Sequence, residues 1–128
     1  MEDNLAVRLI QAGIRTANTH QREQAEKFGM NIPDFSVSPD EVVSGLEDPL
    51  YISLDLDVLD PAFAPGVSHY EPGGLSTRQV LDIIHRIDVR IVGADIVEYN
   101  PSRDINGLTA MTAAKFVKEI GSMMINNP

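Results

Sequence analysis

The run Tyr51-Ile52-Ser53-Leu54-Asp55-Leu56-Asp57-Val58-Leu59-Asp60 gathers three carboxylates at the end of an apolar stretch, directly before Pro61-Ala62-Phe63-Ala64-Pro65-Gly66. Side chains alternate along a strand, so a continuous strand would point Asp55 and Asp57 to one face, about 7 Å apart along the backbone. Two anions held that close repel unless a positive charge lies between them or one keeps its proton. A hard divalent cation, which takes oxygen ligands, is the simplest remedy. Two other readings are open to the pair. One is a solvated strand end that caps the following turn. The other is a phosphatase-like Asp-x-Asp, with one carboxylate as nucleophile and the other as acid or base. That chemistry calls for an early chain position and for downstream phosphate-binding Ser/Thr and Lys motifs, which are not evident.

Further candidates lie downstream. Glu98 closes a second apolar stretch, Val89 to Val97, ahead of Tyr99-Asn100-Pro101, and matches the placement of Asp57. Taken alone, such a carboxylate is more often structural than catalytic. Asp95 falls inside the apolar run, where an unpaired charge is expensive, so it should be hydrogen-bonded in support of the site. Asp60, before Pro61, reads as a turn cap. His69 lies in the loop Gly66-Val67-Ser68-His69-Tyr70-Glu71-Pro72-Gly73-Gly74. A lone loop histidine is commonly just exposed, but this loop would overhang the carboxylates. His20 opens a polar helix and His85 sits in a charged stretch; both read as surface residues.

The elements that must position these groups alternate. Val7–Gly13 reads as a strand, and Thr19–Phe28 as a helix ended by Gly29. Asn31–Val37 reads as a short strand. Ser38-Pro39-Asp40-Glu41 is a helix start, with Ser as cap and Pro in the first turn. Leu50–Val58 is the strongest strand. Ser76-Thr77-Arg78-Gln79 has the form of a capping box, and Val80, Ile83, Ile84 and Ile87 follow at helical spacing. Val89–Val97 is a second apolar strand. A last helix, Leu108–Met124, aligns Ala113, Phe116, Val117, Ile120 and Met124. Strand and helix in alternation, with apolar strands, predict an α/β fold with a parallel sheet covered on both faces. The Pro- and Gly-rich stretch from Asp60 to Gly74 is a long loop, of the kind that usually carries function. Ligand crevices in open parallel sheets lie beyond the carboxyl ends of the strands. Asp55, Asp57, the loop and Glu98 should converge there.

Composition narrows the options. The 128 residues, 43% of them hydrophobic, suit one domain over 1–128 with a sizeable core. The net charge of −9, from 19 acidic and 10 basic residues, offers no basic footprint, which argues against nucleic acid and anionic membranes as partners. Absence of cysteine excludes disulfides, thiolate chemistry and Cys-ligated zinc. The start Met1-Glu2-Asp3-Asn4 shows no secretory h-region and no apolar run approaches the ~20 residues of a membrane span, so a cytoplasmic location is expected.

Together these segments resemble the ureohydrolase family of arginase, agmatinase and their relatives. The resemblance is carried by Ser53 to Gly66, by Glu71-Pro72-Gly73-Gly74-Leu75 and by Gly93-Ala94-Asp95-Ile96-Val97-Glu98-Tyr99-Asn100-Pro101. Val67-Ser68-His69-Tyr70-Glu71 is most similar to plant-type arginases, where many other members have Gly-Thr-Gly-Thr or similar. Lighter similarity runs from Gln11-Ala12-Gly13-Ile14-Arg15 to the last helix. The resemblance implies a three-layer α/β/α fold around a parallel sheet, with two Mn²⁺ ions at the strand ends. It implies that Asp55 bridges both ions, that Asp57 binds one, and that Glu98 pairs with the guanidinium of the substrate. His69 joins Glu98 as a candidate catalytic residue. In the reaction so implied, a metal-bridging hydroxide attacks the guanidinium carbon, and urea leaves with an amine as the other product.

The departures matter as much. Family members of ordinary length carry a metal-binding His and an Asp-Ala-His-x-Asp segment upstream of this region, and neither is present here. The chain should therefore correspond to the carboxyl-terminal part of the fold and supply two of six metal ligands. It should be inactive alone, with an open sheet edge met by a second copy or by a partner supplying the amino-terminal half. The alternative is a non-catalytic remnant kept for binding or assembly.

Overall fold

The computed structural model describes residues 8–29 and 38–126. Helix α1 (Thr19–Lys27) opens on a capping box in which the Asn18 side chain accepts from the Gln21 amide and Gln21 accepts from Asn18, both at 2.8 Å. Gly29 follows with φ +64°, the left-handed position at which helices end. Helix α2 (Pro39–Val43) starts at Ser38, whose N–H donates to Glu41 at 3.3 Å. Strand β1 (Leu50–Asp55) runs parallel to β2 (Ile91–Val97), joined through helix α3 (Thr77–Ile84). Ser76 and Gln79 form the expected box at the start of α3. Helix α4 (Leu108–Asn126) closes the chain; the Asp104 carboxylate accepts from the amides of Thr109 (2.9 Å) and Ala110 (3.0 Å) in its first turn.

The core is one cluster. Leu56, Leu59, Ala64, Val67, Leu75, Val80, Leu81, Ile84, Ile91, Phe116 and Ile120 are buried together, with Leu50, Ile52, Leu54 and Ile96 packed against them. Helices α3 and α4 thus cover the sheet face that carries Ile52 and Leu54. The other face presents Tyr51, Ser53 and Asp55 opposite Gly93, Asp95 and Val97, and Tyr51 is 59% exposed. Among the described residues, therefore, one sheet face is covered rather than two.

The α/β class with a parallel sheet is as expected, and several boundaries are not. Arg8–Gly13 forms no strand among the described residues; Val7 and the expected strand Asn31–Val37 lie outside the described residues. Strand β1 stops at Asp55 instead of Val58, because Leu56–Val58 turns into a 3₁₀ helix capped by Asp55. β2 begins at Ile91, two residues later than expected. Val117 is 59% exposed and does not share the stripe of Phe116 and Ile120.

Glu119 on α4 ties two elements together. Its carboxylate receives Lys115 and, at 2.9 Å, His85 after α3. Those two partners hold it well below the usual range, down to about 2. A depressed folded-state value contributes stability above the ordinary carboxylate pKa, and that contribution is lost as pH falls toward the folded value. Glu119→Gln should therefore lower the melting temperature at pH 7, and the gap to the wild type should close between about pH 4.5 and pH 2.

Candidate active site at the strand ends

The strand end is built by local hydrogen bonding. Asp55 Oδ1 accepts from the Asp57 amide at 2.8 Å, which ends β1 and starts the 3₁₀ turn. Leu56 and Leu59 point into the core and anchor the turn from below. Arg15, from the segment before α1, donates to the carbonyl oxygen of Val58 at 2.8 Å and to that of Asp57. Asp57 is thereby fixed with its side chain 22% exposed. Its Oδ1 is shut from solvent with no hydrogen-bond partner among the described residues.

Three ligand-bearing groups meet here. One donor atom each from Asp57, His69 and Glu98 lie within 4.8 Å of one another. His69 Nδ1 is 3.5 Å from Asp57 Oδ2 while its side chain remains 84% exposed. Glu98 follows β2 at φ +66°, a left-handed conformation that costs a non-glycine residue about 1–2 kcal/mol. Burial pushes the Asp57 carboxyl up, the Asp55 and Glu98 charges push it further, and His69 and Arg15 oppose them. Surplus negative charge around a buried, unpaired carboxylate oxygen is the setting a divalent cation would relieve. Asp55 stands outside the three-residue cluster, with one oxygen engaged by the turn, but contributes to the same field. A cavity of about 590 Å³ opens above them, lined by Arg15, Asp55, Asp57, Ser68, His69 and Glu71 among others.

The overhanging loop is held at both ends. Asp60 Oδ1 accepts from the Ala62 amide at 2.9 Å, and its Oδ2 from the amides of Gly73 (2.7 Å) and Gly74 (3.3 Å). Those bonds hold its pKa below the ordinary carboxylate value. Backbone bonds from Asp60 N to Leu75 O and from Leu75 N to Val58 O, each 2.9 Å, close the loop base. Farther along, Val67 bridges to Tyr99, and Asn100 N–H donates to Gly66 O at 2.7 Å. The Asp60 cap is as expected, and so is the hydrogen bonding of Asp95, which accepts from Ser53 Oγ (2.6 Å) and Tyr51 OH (3.0 Å). His85 pairs with Glu119, and His20 is exposed on α1.

The model of the Arginase family matches residues 1–122. The chain belongs to the arginase family. It is similar to "Arginase 1, mitochondrial" of Arabidopsis thaliana, at 49% identity over 95% of this chain and 38% of that protein. It is also similar to an agmatinase of Bacillus anthracis, at 41% identity over 84% of this chain and 39% of that protein. A solved arginase from Medicago truncatula superposes with a TM-score of 0.84 at 43% identity, covering 96% of this chain and 42% of its own. The chain thus spans well under half the length of these arginase-family relatives.

Sequence reasoning did not assign roles to Arg15, Ser68, Asn100, Arg103 or Thr109. Thr109 is the buried polar residue that bonds the Gly66 amide at 2.7 Å. All five act through contacts between segments far apart in the chain, for which local spacing carries no signal.

Gly74 is where the loop base is tightest: an added Cβ would lie 2.2 Å from the Asp60 amide nitrogen and 2.4 Å from the Leu59 carbonyl carbon. Backbone cannot yield as a side-chain tip can. Gly74→Ala should cost about 1–3 kcal/mol or more, read as a fall in the denaturant midpoint. Gly73→Ala, in open space at φ +88°, should cost only the left-handed penalty of about 1–2 kcal/mol.

Proposed function

We propose that this chain is the carboxyl-terminal part of a manganese-dependent amidinohydrolase that releases urea from arginine or agmatine. The observation that carries the reading is the convergence of Asp57, His69 and Glu98 around a buried carboxylate oxygen without a partner. In this reading Asp55 and Asp57 hold the metal. Carboxylate oxygens suit hard divalent cations such as manganese. When bound, a pair of such ions supplies the nucleophile, because it lowers the pKa of a shared water toward neutrality.

The remaining steps belong to the chain's own side chains. Glu98 pairs with the substrate guanidinium through two parallel hydrogen bonds, which both orient and neutralise it. One of its carboxylate oxygens lies within 4.8 Å of donor atoms on Asp57 and His69. His69, at the mouth of the cavity, is placed to pass a proton between solvent and the reacting groups. The Asp60-capped loop overhangs the strand ends and leaves His69 and Glu98 exposed to solvent.

Asp55 and Asp57 cannot fill the coordination spheres of two ions, so the other ligands come from outside these residues. The chain on its own is accordingly inactive. A non-catalytic role in binding or assembly is the second reading, favoured by the single three-residue cluster found among the described residues. A homo-oligomer, or a partner bearing the complementary half, fits a parallel pair of strands with its outer face exposed. No helix among the described residues is long and apolar enough to cross a membrane, and the Arabidopsis relative is named mitochondrial.

Urea assays separate the two readings. With added Mn²⁺ and either arginine or agmatine, the lone chain should not exceed buffer. Addition of the amino-terminal segment of a plant arginase should restore activity. That activity should vanish in Asp55→Ala and fall by roughly a hundredfold or more in Glu98→Gln. Failure of every such segment to restore it would favour the non-catalytic reading.

Assembly is open to an independent check. A two-stranded sheet is marginal by itself, and natural sheets cover or blunt their edges. Light scattering should show self-association that rises with concentration; a clean monomer at high concentration would count against the proposed partner.

A further inference from the structure

We propose that Arg103 is a positioning residue that holds His69 against the carboxylates of Asp57 and Glu98; the inference rests on the reading of that site given above. Little at the imidazole itself fixes it. Its side chain is 84% exposed, and its approach to Asp57 Oδ2, at 3.5 Å, is too long for a strong hydrogen bond. The placement must therefore come from its neighbours in the chain, and one guanidinium touches both of them. Arg103 Nη1 donates to the Ser68 carbonyl oxygen at 2.9 Å, and the same guanidinium lies 5.1 Å from the centre of the Tyr70 ring. Tyr70 is steadied in turn by its hydroxyl, which donates to Pro65 O at 2.6 Å.

Arg103 is itself well placed to act as an anchor. It ends a turn closed by its own amide to Asn100 O at 3.1 Å, and Asn100 Oδ1 accepts from the Ser102 amide (3.1 Å) and hydroxyl (2.6 Å). That turn follows directly on Glu98 and Tyr99. One rigid segment therefore carries Glu98 at its start and grips the flanks of His69 at its end. The earlier part of the loop has its own ties, from Gly66 O to the Asn100 amide, from Val67 to Tyr99, and from Ser68 Oγ to Asn100 Nδ2 at 3.0 Å. What Arg103 adds falls on the residues beside His69. A planar guanidinium can donate at its edge and stack on its face together, which an ammonium cannot do as well.

The test reads where an added cation sits relative to the three groups, without any turnover. In nuclear magnetic resonance spectra of the whole chain, sub-stoichiometric Mn²⁺ broadens signals near the ion. The ring signals of His69 and the amides of Asp57 and Glu98 should broaden, while His85, paired with Glu119 on α4, serves as the unaffected control. In Arg103→Ala the broadening at His69 should fall several-fold while that at Asp57 and Glu98 stays as in the wild type. Arg103→Lys, which keeps a donor for Ser68 O, and Tyr70→Leu, which removes the stacked ring, should each give an intermediate loss. Should Arg103→Ala fail to fold, these two variants carry the test alone. Unchanged broadening at His69 in the folded variants would overturn the inference and leave the cation site standing. Equal loss at all three residues would also overturn it, since Arg103 would then support the site as a whole. No selective broadening in the wild type would overturn both the inference and the reading of the site.

Discussion

A strand continued through Asp57 would hold the Asp55 and Asp57 carboxylates about 7 Å apart on a single face. The bond from the Asp57 amide to Asp55 Oδ1, 2.8 Å long, prevents that continuation and bends the backbone into a 3₁₀ turn. The rest of the strand end follows from it. Leu56 and Leu59 swing into the core, Val58 and Asp57 offer their carbonyl oxygens to Arg15, and the Asp57 side chain turns toward Glu98 and His69. An Asp at the end of a strand thus acts first on its own backbone, as short acidic side chains do at turns. Only its remaining oxygen is free of the turn.

Charge gives this arrangement its meaning. Three carboxylates share one end of a small sheet in a chain of net charge −9, and one of them is mostly withdrawn from water. Asp57 responds by an upward shift driven first by burial and then by its anionic neighbours. Asp60, a few residues on, shifts the other way because backbone amides of Ala62, Gly73 and Gly74 solvate its charge. The two aspartates have the same chemistry and opposite surroundings. Asp60 is satisfied by backbone amides, whereas Asp57 Oδ1 has no hydrogen-bond partner among the described residues.

The loop from Asp60 to Gly74 is long but not loose. Its base is closed by backbone bonds between Val58, Asp60 and Leu75, its middle is bridged to Tyr99, and Gly66 presses against Thr109 of α4 so closely that a Cβ would lie 2.9 Å from that side chain. Gly and Pro in this loop therefore serve close approach and direction rather than mobility. Rigid loops of this kind can present a side chain such as His69 at a set position while leaving it exposed to solvent.

The sequence by itself determined the family and most of the local structure. Alternating apolar runs and the Ser38 and Ser76 start signals marked α/β elements, because capping and periodicity act within a few residues. The residue types alone left several readings open. It was the resemblance to the ureohydrolase family, carried by Ser53 to Gly66, Glu71 to Leu75 and Gly93 to Pro101, that pointed to metal and guanidinium chemistry around Asp55, Asp57, His69 and Glu98. Tertiary structure alone decided the end of β1 at Asp55, the exposure of Val117, the outward-facing sheet surface at Tyr51, and the meeting of Asp57, His69 and Glu98. It also decided the work of Arg15, Ser68, Thr109 and Arg103, whose partners lie more than thirty residues away in the chain. The physical reason is one of range. Propensity and hydrogen bonding to near neighbours are written in adjacent residues, whereas electrostatic fields, burial and loop closure depend on which distant segments the core brings together.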